Sequence, residues 1–141
     1  MKNIPRAIVM LAVCATLLSL GYAFYWHDRP RVDAAAYDKI AWNVAQGLGY
    51  IEESVNATTP ELDWALIRVG PGYQFFLAAV YWIFGHAVWA VWILQAFLRG
   101  ASVVLIWLIA RRLFPNSPRV AVGASALFAF TPDLIVVSGL L

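Results

Sequence analysis

Charge and cysteine are scarce in this 141-residue sequence. Only 13% of the residues are charged, where an ordinary soluble domain carries about 25%. The single cysteine, Cys14, excludes an internal disulfide. In its apolar run it reads as a small core hydrophobe. There is no CxxC, no HExxH, no GxSxG and no P-loop, so these metal, hydrolase and nucleotide motifs are all missing. No basic run points to nucleic acid. The two histidines, His27 and His86, stand far apart beside membrane boundaries, where an imidazole is more often structural than a ligand.

What is present is apolar. Hydrophobic residues make up 62% of the chain, and the mean hydropathy is +0.72. Several stretches approach the length of about 20 residues that a spanning helix needs. The expected fold class is therefore an all-α membrane protein, with about four hydrophobic helices and one interfacial amphipathic helix in the first outside loop. The lipid bilayer is its solvent.

The first span is expected over 7–25. Lys2 and Arg6 precede it, which puts the N-terminus in the cytoplasm. Tyr22, Tyr25 and Trp26 form an aromatic belt at its far end. The run is long for a signal peptide and lacks a small-x-small cleavage site. Leu11-Ala12-Val13-Cys14 resembles a lipoprotein processing site only faintly, because Val13 is too large. An uncleaved helix is the better reading.

Residues 27–70 are the long polar segment and should lie outside. Seven of the eight acids fall between Asp28 and Asp63. Tyr37, Ile40, Ala41, Val44 and Leu48 recur at helical spacing, which predicts an amphipathic helix over 33–47. Asp33 precedes the run as an N-cap candidate, and Gly47 and Gly49 can stop it. Glu52 to Trp64 is turn-rich, and Asn56-Ala57-Thr58 fits a glycosylation sequon of a kind common by chance. Further hydrophobic helices are expected over 71–84, 87–110 and 119–141. The last run has no polar cap and no flanking charge, so the sequence is expected to be the front part of a longer protein. Sidedness is conflicted. If 71–84 and 87–110 both span, the basic loop Arg111–Arg119 falls outside, against the positive-inside rule.

Two residues could carry chemistry. Asp33 stands close to the bilayer surface, where a carboxylate can act as general base or help hold a divalent cation. It can equally be only a helix cap. Arg99 is a cation inside a span, a costly placement that usually marks a paired or functional group. It suits bidentate contact with a lipid phosphate, or it snorkels from a helix end. Asp28 and Asp38 have no distinct placement. Glu52, Glu53, Glu61 and Asp63 read as a solvated face.

The order of these features resembles the N-terminal third of a GT-C type membrane glycosyltransferase, of the protein mannosyltransferase and aminoarabinose transferase group. Asp33-x-x-x-Tyr37-x-x-Ile40-Ala41-x-Asn43-x-x-x-Gly47-x-Gly49-Tyr50 resembles that group's first-loop pattern. Arg68-Val69-Gly70-Pro71-Gly72-Tyr73 resembles its Arg-Pro-Pro-Gly-Tyr approach to the second span, with Val69-Gly70 as a departure. Phe84-Gly85, Gln95, Ala110-Arg111-Arg112-Leu113-Phe114, Pro132 and Ser138-Gly139 follow in order. A second acid usual shortly after that Ser-Gly is not reached by Leu141. The resemblance implies a transferase of the bacterial inner membrane. It would use a polyprenyl-phosphate sugar donor and an acceptor approached from the periplasm. Asp33 matches that group's first-loop acidic residue and would act as general base on the acceptor hydroxyl, or orient it, with a divalent metal (Mg or Mn) left open beside it. Tyr37, Arg68 and Tyr73 would be substrate-binding residues, and Arg99, which maps onto no motif of the group, is a further substrate-binding candidate for the leaving phosphate. The resemblance also implies that these residues alone lack half of the site and are inactive. The rival readings are non-enzymatic: a transporter fragment, an assembly subunit or a small adaptor. No internal repeat supports the transporter.

Overall fold

The computed structural model describes residues 4–26, 33–52, 71–137 and 139. Those residues form helices α1 (Arg6–Trp26), α2 (Asp33–Ala45), α3 (Gly72–Phe84), α4 (Val88–Leu113), α5 (Pro118–Phe130) and α6 (Pro132–Val137), with no strand among them. The helix expected over 33–47 ends two residues early. Gly47 takes a left-handed φ of 76°. Its amide bonds to Val44 O at 3.0 Å, and the Leu48 amide bonds to Asn43 O at 2.9 Å. This paired closure is the Schellman cap, which glycine enters at low cost. The helix expected over 87–110 runs on to Leu113, so Arg111 and Arg112 lie in its last turn, where cations suit the negative end of the dipole. The run over 119–141 breaks at Thr131, because Pro132 has no amide hydrogen to continue α5.

Lengths separate the helices into two kinds. α1 has 21 residues and α4 has 26, about 31 and 39 Å at 1.5 Å per residue. Both exceed a hydrocarbon core of about 30 Å. Their most apolar windows are only 22% and 33% buried, which is wrong for the core of a soluble protein and right for a lipid-facing surface. α3 and α5 have 13 residues each, about 20 Å, and are too short to cross unaided. The protein is an all-α membrane protein. Cys14 corrects one expectation: it lies on the exposed face of α1 and not in the core.

Contacts divide the chain into two compact units, Met1–Asp28 with Trp92–Leu140, and Arg29–Val91. In the first, α1 buries Ala15, Ser19 and Ala23 at four-residue spacing, and α5 buries Ala121, Ser125 and Ala129. Small residues repeated in this way let membrane helices approach closely, where lipid supplies no hydrophobic drive. Gly100 serves the same end. A Cβ there would collide with Thr16 Oγ1 and lie 3.1 Å from Ala12 O, so α4 comes close to α1 only because the side chain is absent. Ile8, Trp107, Ala110 and Ala121 close a further cluster.

In the second unit, α2 lies on α3. Ala41 packs with Leu77, Ala78, Val80 and Tyr81. An isolated helix of 13 residues is marginal in water, so this seam stabilises α2.

Candidate active site

The first-loop motif can be followed residue by residue. Asp33 is the first residue of α2, where the positive end of the helix dipole favours a carboxylate. It is exposed. It makes no hydrogen bond or ion pair with the other described residues. Tyr37, one turn on, shares its face of the helix. The Tyr37 ring meets the Tyr73 ring edge to face, with centroids 5.8 Å apart and planes at 80°. Tyr73 in turn stacks on Phe76 at 6.1 Å. Ile40 and Ala41 are fully buried. Asn43 Nδ2 donates to Ile51 O at 2.8 Å, which folds the segment after α2 back onto the helix. Tyr50 reaches Phe75, with centroids 5.9 Å apart. Burial first and the nearby Tyr37 second push the Tyr50 phenol above its ordinary range, so it stays a neutral hydroxyl at physiological pH. Tyr37, Ile40, Ala41, Asn43, Gly47 and Tyr50 thus each have a structural task. Asp33 is the motif residue left facing out.

Of the five residues singled out in the sequence, the structure brings Tyr37 and Tyr73 together, with Asp33 one turn from Tyr37. Arg68 lies outside the described residues, as do His27, Asp28, Asn56, Glu61 and Asp63. Arg99 belongs to the other unit. It is 6% exposed. Its Nη1 donates to Ser19 Oγ at 2.7 Å and to Ala15 O at 3.4 Å. Its Nη2 donates to Ala129 O at 2.8 Å. Ala129 is in the last turn of α5, whose carbonyls lack helical partners and favour a cation. Arg99 therefore links α1, α4 and α5, and only Nε has no partner among the described residues.

A divalent cation needs several converging oxygen ligands. Among the described residues no group of three His, Cys, Asp or Glu side chains comes together. Asp33 does not build a cation site with the described residues.

Nothing in the sequence pattern singles out Asp38 or His86. The structure joins them: His86 Nε2 lies 2.8 Å from Asp38 Oδ1, and the Tyr81 hydroxyl donates to the same oxygen at 2.5 Å. The partners are 43 and 48 residues from Asp38 along the chain, so no local spacing could have revealed the cluster.

A solvent-facing carboxylate leads an aromatic-lined helix in an all-α membrane protein. The chain belongs to the dolichyl-phosphate-mannose-protein mannosyltransferase family, whose model matches residues 68–140, just over half of the sequence. It is accordingly a membrane glycosyltransferase of the GT-C type. The match takes in Arg68, Tyr73 and Arg99 and leaves Asp33 and Tyr37 ahead of it. No curated protein and no solved structure matches the chain.

Proposed function

We propose that this protein transfers a sugar from a polyprenyl-phosphate donor to an acceptor hydroxyl on the periplasmic side of a bacterial inner membrane, with Asp33 as general base. The acceptor oxygen attacks the anomeric carbon. The bond from that carbon to the donor phosphate oxygen breaks, and polyprenyl phosphate leaves. The hydroxyl proton passes to the Asp33 carboxylate. The observation that carries this reading is the position of Asp33: exposed, at a helix N-terminus, one turn from the Tyr37–Tyr73 pair. Tyr37 and Tyr73 offer ring faces and hydroxyls to the substrate. The leaving phosphate gains from a cation. Arg68 is the first choice for it, because both Nη atoms of Arg99 already hold protein acceptors.

Sidedness supports the same reading. Lys2 and Arg6 favour a cytoplasmic N-terminus. After α1, residues 27–32 can reach at most about 22 Å, too little to recross. α3 is short, and both Tyr81 near its end and His86 just beyond bond to Asp38 of α2. On this reading both ends of α3 stay on the side of α2, and α4 makes the return crossing. Arg111, Arg112 and Arg119 then reach the cytoplasm, which removes the conflict with the positive-inside rule. A cysteine placed at Asn116 should resist an impermeant thiol reagent added to spheroplasts; labelling from outside would invert this topology. For the chemistry, Asp33→Ala in the full protein should abolish transfer while membrane insertion is unchanged. Normal transfer by that variant would remove Asp33 from the reaction.

A further inference from the structure

The cluster around Asp38 is built from four side chains on α2, α3 and the turn after α3. Asp38 is 17% exposed and His86 is 42% exposed. Asp38 Oδ1 takes the Tyr81 hydroxyl and faces His86 Nε2. The His86 ring also stacks on Trp42, with centroids 4.9 Å apart and planes at 17°. It meets the Tyr81 ring edge-on at 4.9 Å. Trp42 and Tyr81 close the set, 6.2 Å apart at 77°. The turn that carries His86 passes through Gly85, which has a φ of 72°.

The rest of the α2–α3 seam is apolar: Ala34, Tyr37, Ala41, Val44 and Ala45 of α2 pack with Leu77, Ala78 and Val80 of α3. A shift of α2 by one residue turns it by about 100° and would part Tyr37 from Tyr73 and move Asp33 relative to α3. Directed hydrogen bonds add a sharper restraint on such a shift than apolar contact alone, because they weaken steeply with angle. Asp38 lies five residues from Asp33 on the same short, continuous helix, so what holds Asp38 also holds Asp33.

We propose that Asp38, Tyr81 and His86 are positioning residues for the transfer, a polar clasp that sets the register of α2 on α3 and so places Asp33. This rests on the reading of Asp33 as general base. None of the three touches the reacting atoms. Their loss should therefore lower turnover while donor binding persists, since misplacing a catalytic group by about 1 Å can cost about 100-fold.

The test uses the full protein in its membrane, with Cys14→Ser and a reporter pair, Tyr37→Cys with Tyr73→Cys, whose disulfide yield reads the register directly. Into that background go Asp38→Asn, His86→Gln and, as the mildest change, Tyr81→Phe, which keeps the ring and removes one hydroxyl. Disulfide yield should fall in each. In otherwise unaltered protein the same three changes should lower kcat by about 10- to 100-fold, with KM for the lipid donor little changed. Asp38→Glu, which keeps the charge, should recover part of the rate that Asp38→Asn loses. Disulfide yield equal to the parent in all three variants would overturn the clasp, whatever Asp33 does. A lowered yield with kcat unchanged would overturn its role in catalysis. Failure of Asp33 itself reads differently: Asp33→Ala would then transfer normally while the disulfide yields still fell.

Discussion

The two units of this protein hold their helices together by different means. Around α1 and α5 the contacts are made by small residues: Ala15, Ser19 and Ala23 on one helix, Ala121, Ser125 and Ala129 on the other. Among the described residues the one charged group buried there, Arg99, ends on a hydroxyl and two backbone carbonyls. Around α2 and α3 the contacts are aromatic and polar: Tyr37 on Tyr73, Trp42 on His86, and Asp38 between Tyr81 and His86. The contrast follows from the solvent. Lipid is as apolar as a side chain, so helices in it gain by close approach and by satisfying the few polar groups they carry. At the membrane surface water is present, and amphipathic side chains with one apolar body and one polar tip stabilise a short helix. The first unit carries most of the long apolar helices, and the second carries the seam of α2 on α3.

Four substitutions break or sharpen this contrast, in order of decreasing effect. Gly100→Val should harm the spanning unit most, because the new side chain meets Thr16 and the Ala12 carbonyl. A loss of about 1–3 kcal/mol is expected, measured by unfolding in detergent. Arg99→Ala should cost about 1–2 kcal/mol in the same assay, by removing the hydrogen bonds that join three helices. If Arg99→Ala instead left stability unchanged and raised KM for the lipid donor, Arg99 would be a phosphate ligand and not a tie. Gly47→Ala should cost about 1 kcal/mol through its left-handed backbone, with the loss visible as fraying at the end of α2 in hydrogen exchange. Tyr50→Phe should be the mildest. Its neutral hydroxyl carries no charge to lose, and the ring that reaches Phe75 is kept, so stability should stay within about 0.5 kcal/mol of the parent.

Legibility in the sequence followed the range of the interactions. The span of α1 showed in its apolar run and flanking Lys2 and Arg6. The amphipathic helix after it showed in the spacing of Tyr37, Ile40, Ala41 and Val44. Its stop showed in Gly47, two residues past the last helical residue, because a Schellman cap counts the glycine outside the helix. These signals all lie within a few residues of one another. The helix over 87–110 showed in its apolar run, but the tasks of Arg99 and Gly100 within it did not: they become clear only when the facing helix supplies Ser19 as a partner for Arg99 and Thr16 as a reason for Gly100. The Asp38 clasp was hidden for the same reason. The pairing of Tyr37 with Tyr73 joins two motifs that the resemblance to membrane glycosyltransferases had singled out separately, but their contact needed coordinates.

The most direct test of the account is sugar transfer by the full protein in membranes, using a labelled polyprenyl-phosphate sugar and comparing the parent with Asp33→Ala at equal membrane levels. The account predicts glycosylated product and free polyprenyl phosphate from the parent, and a loss of at least about 100-fold from the variant. Equal transfer by both proteins would contradict it.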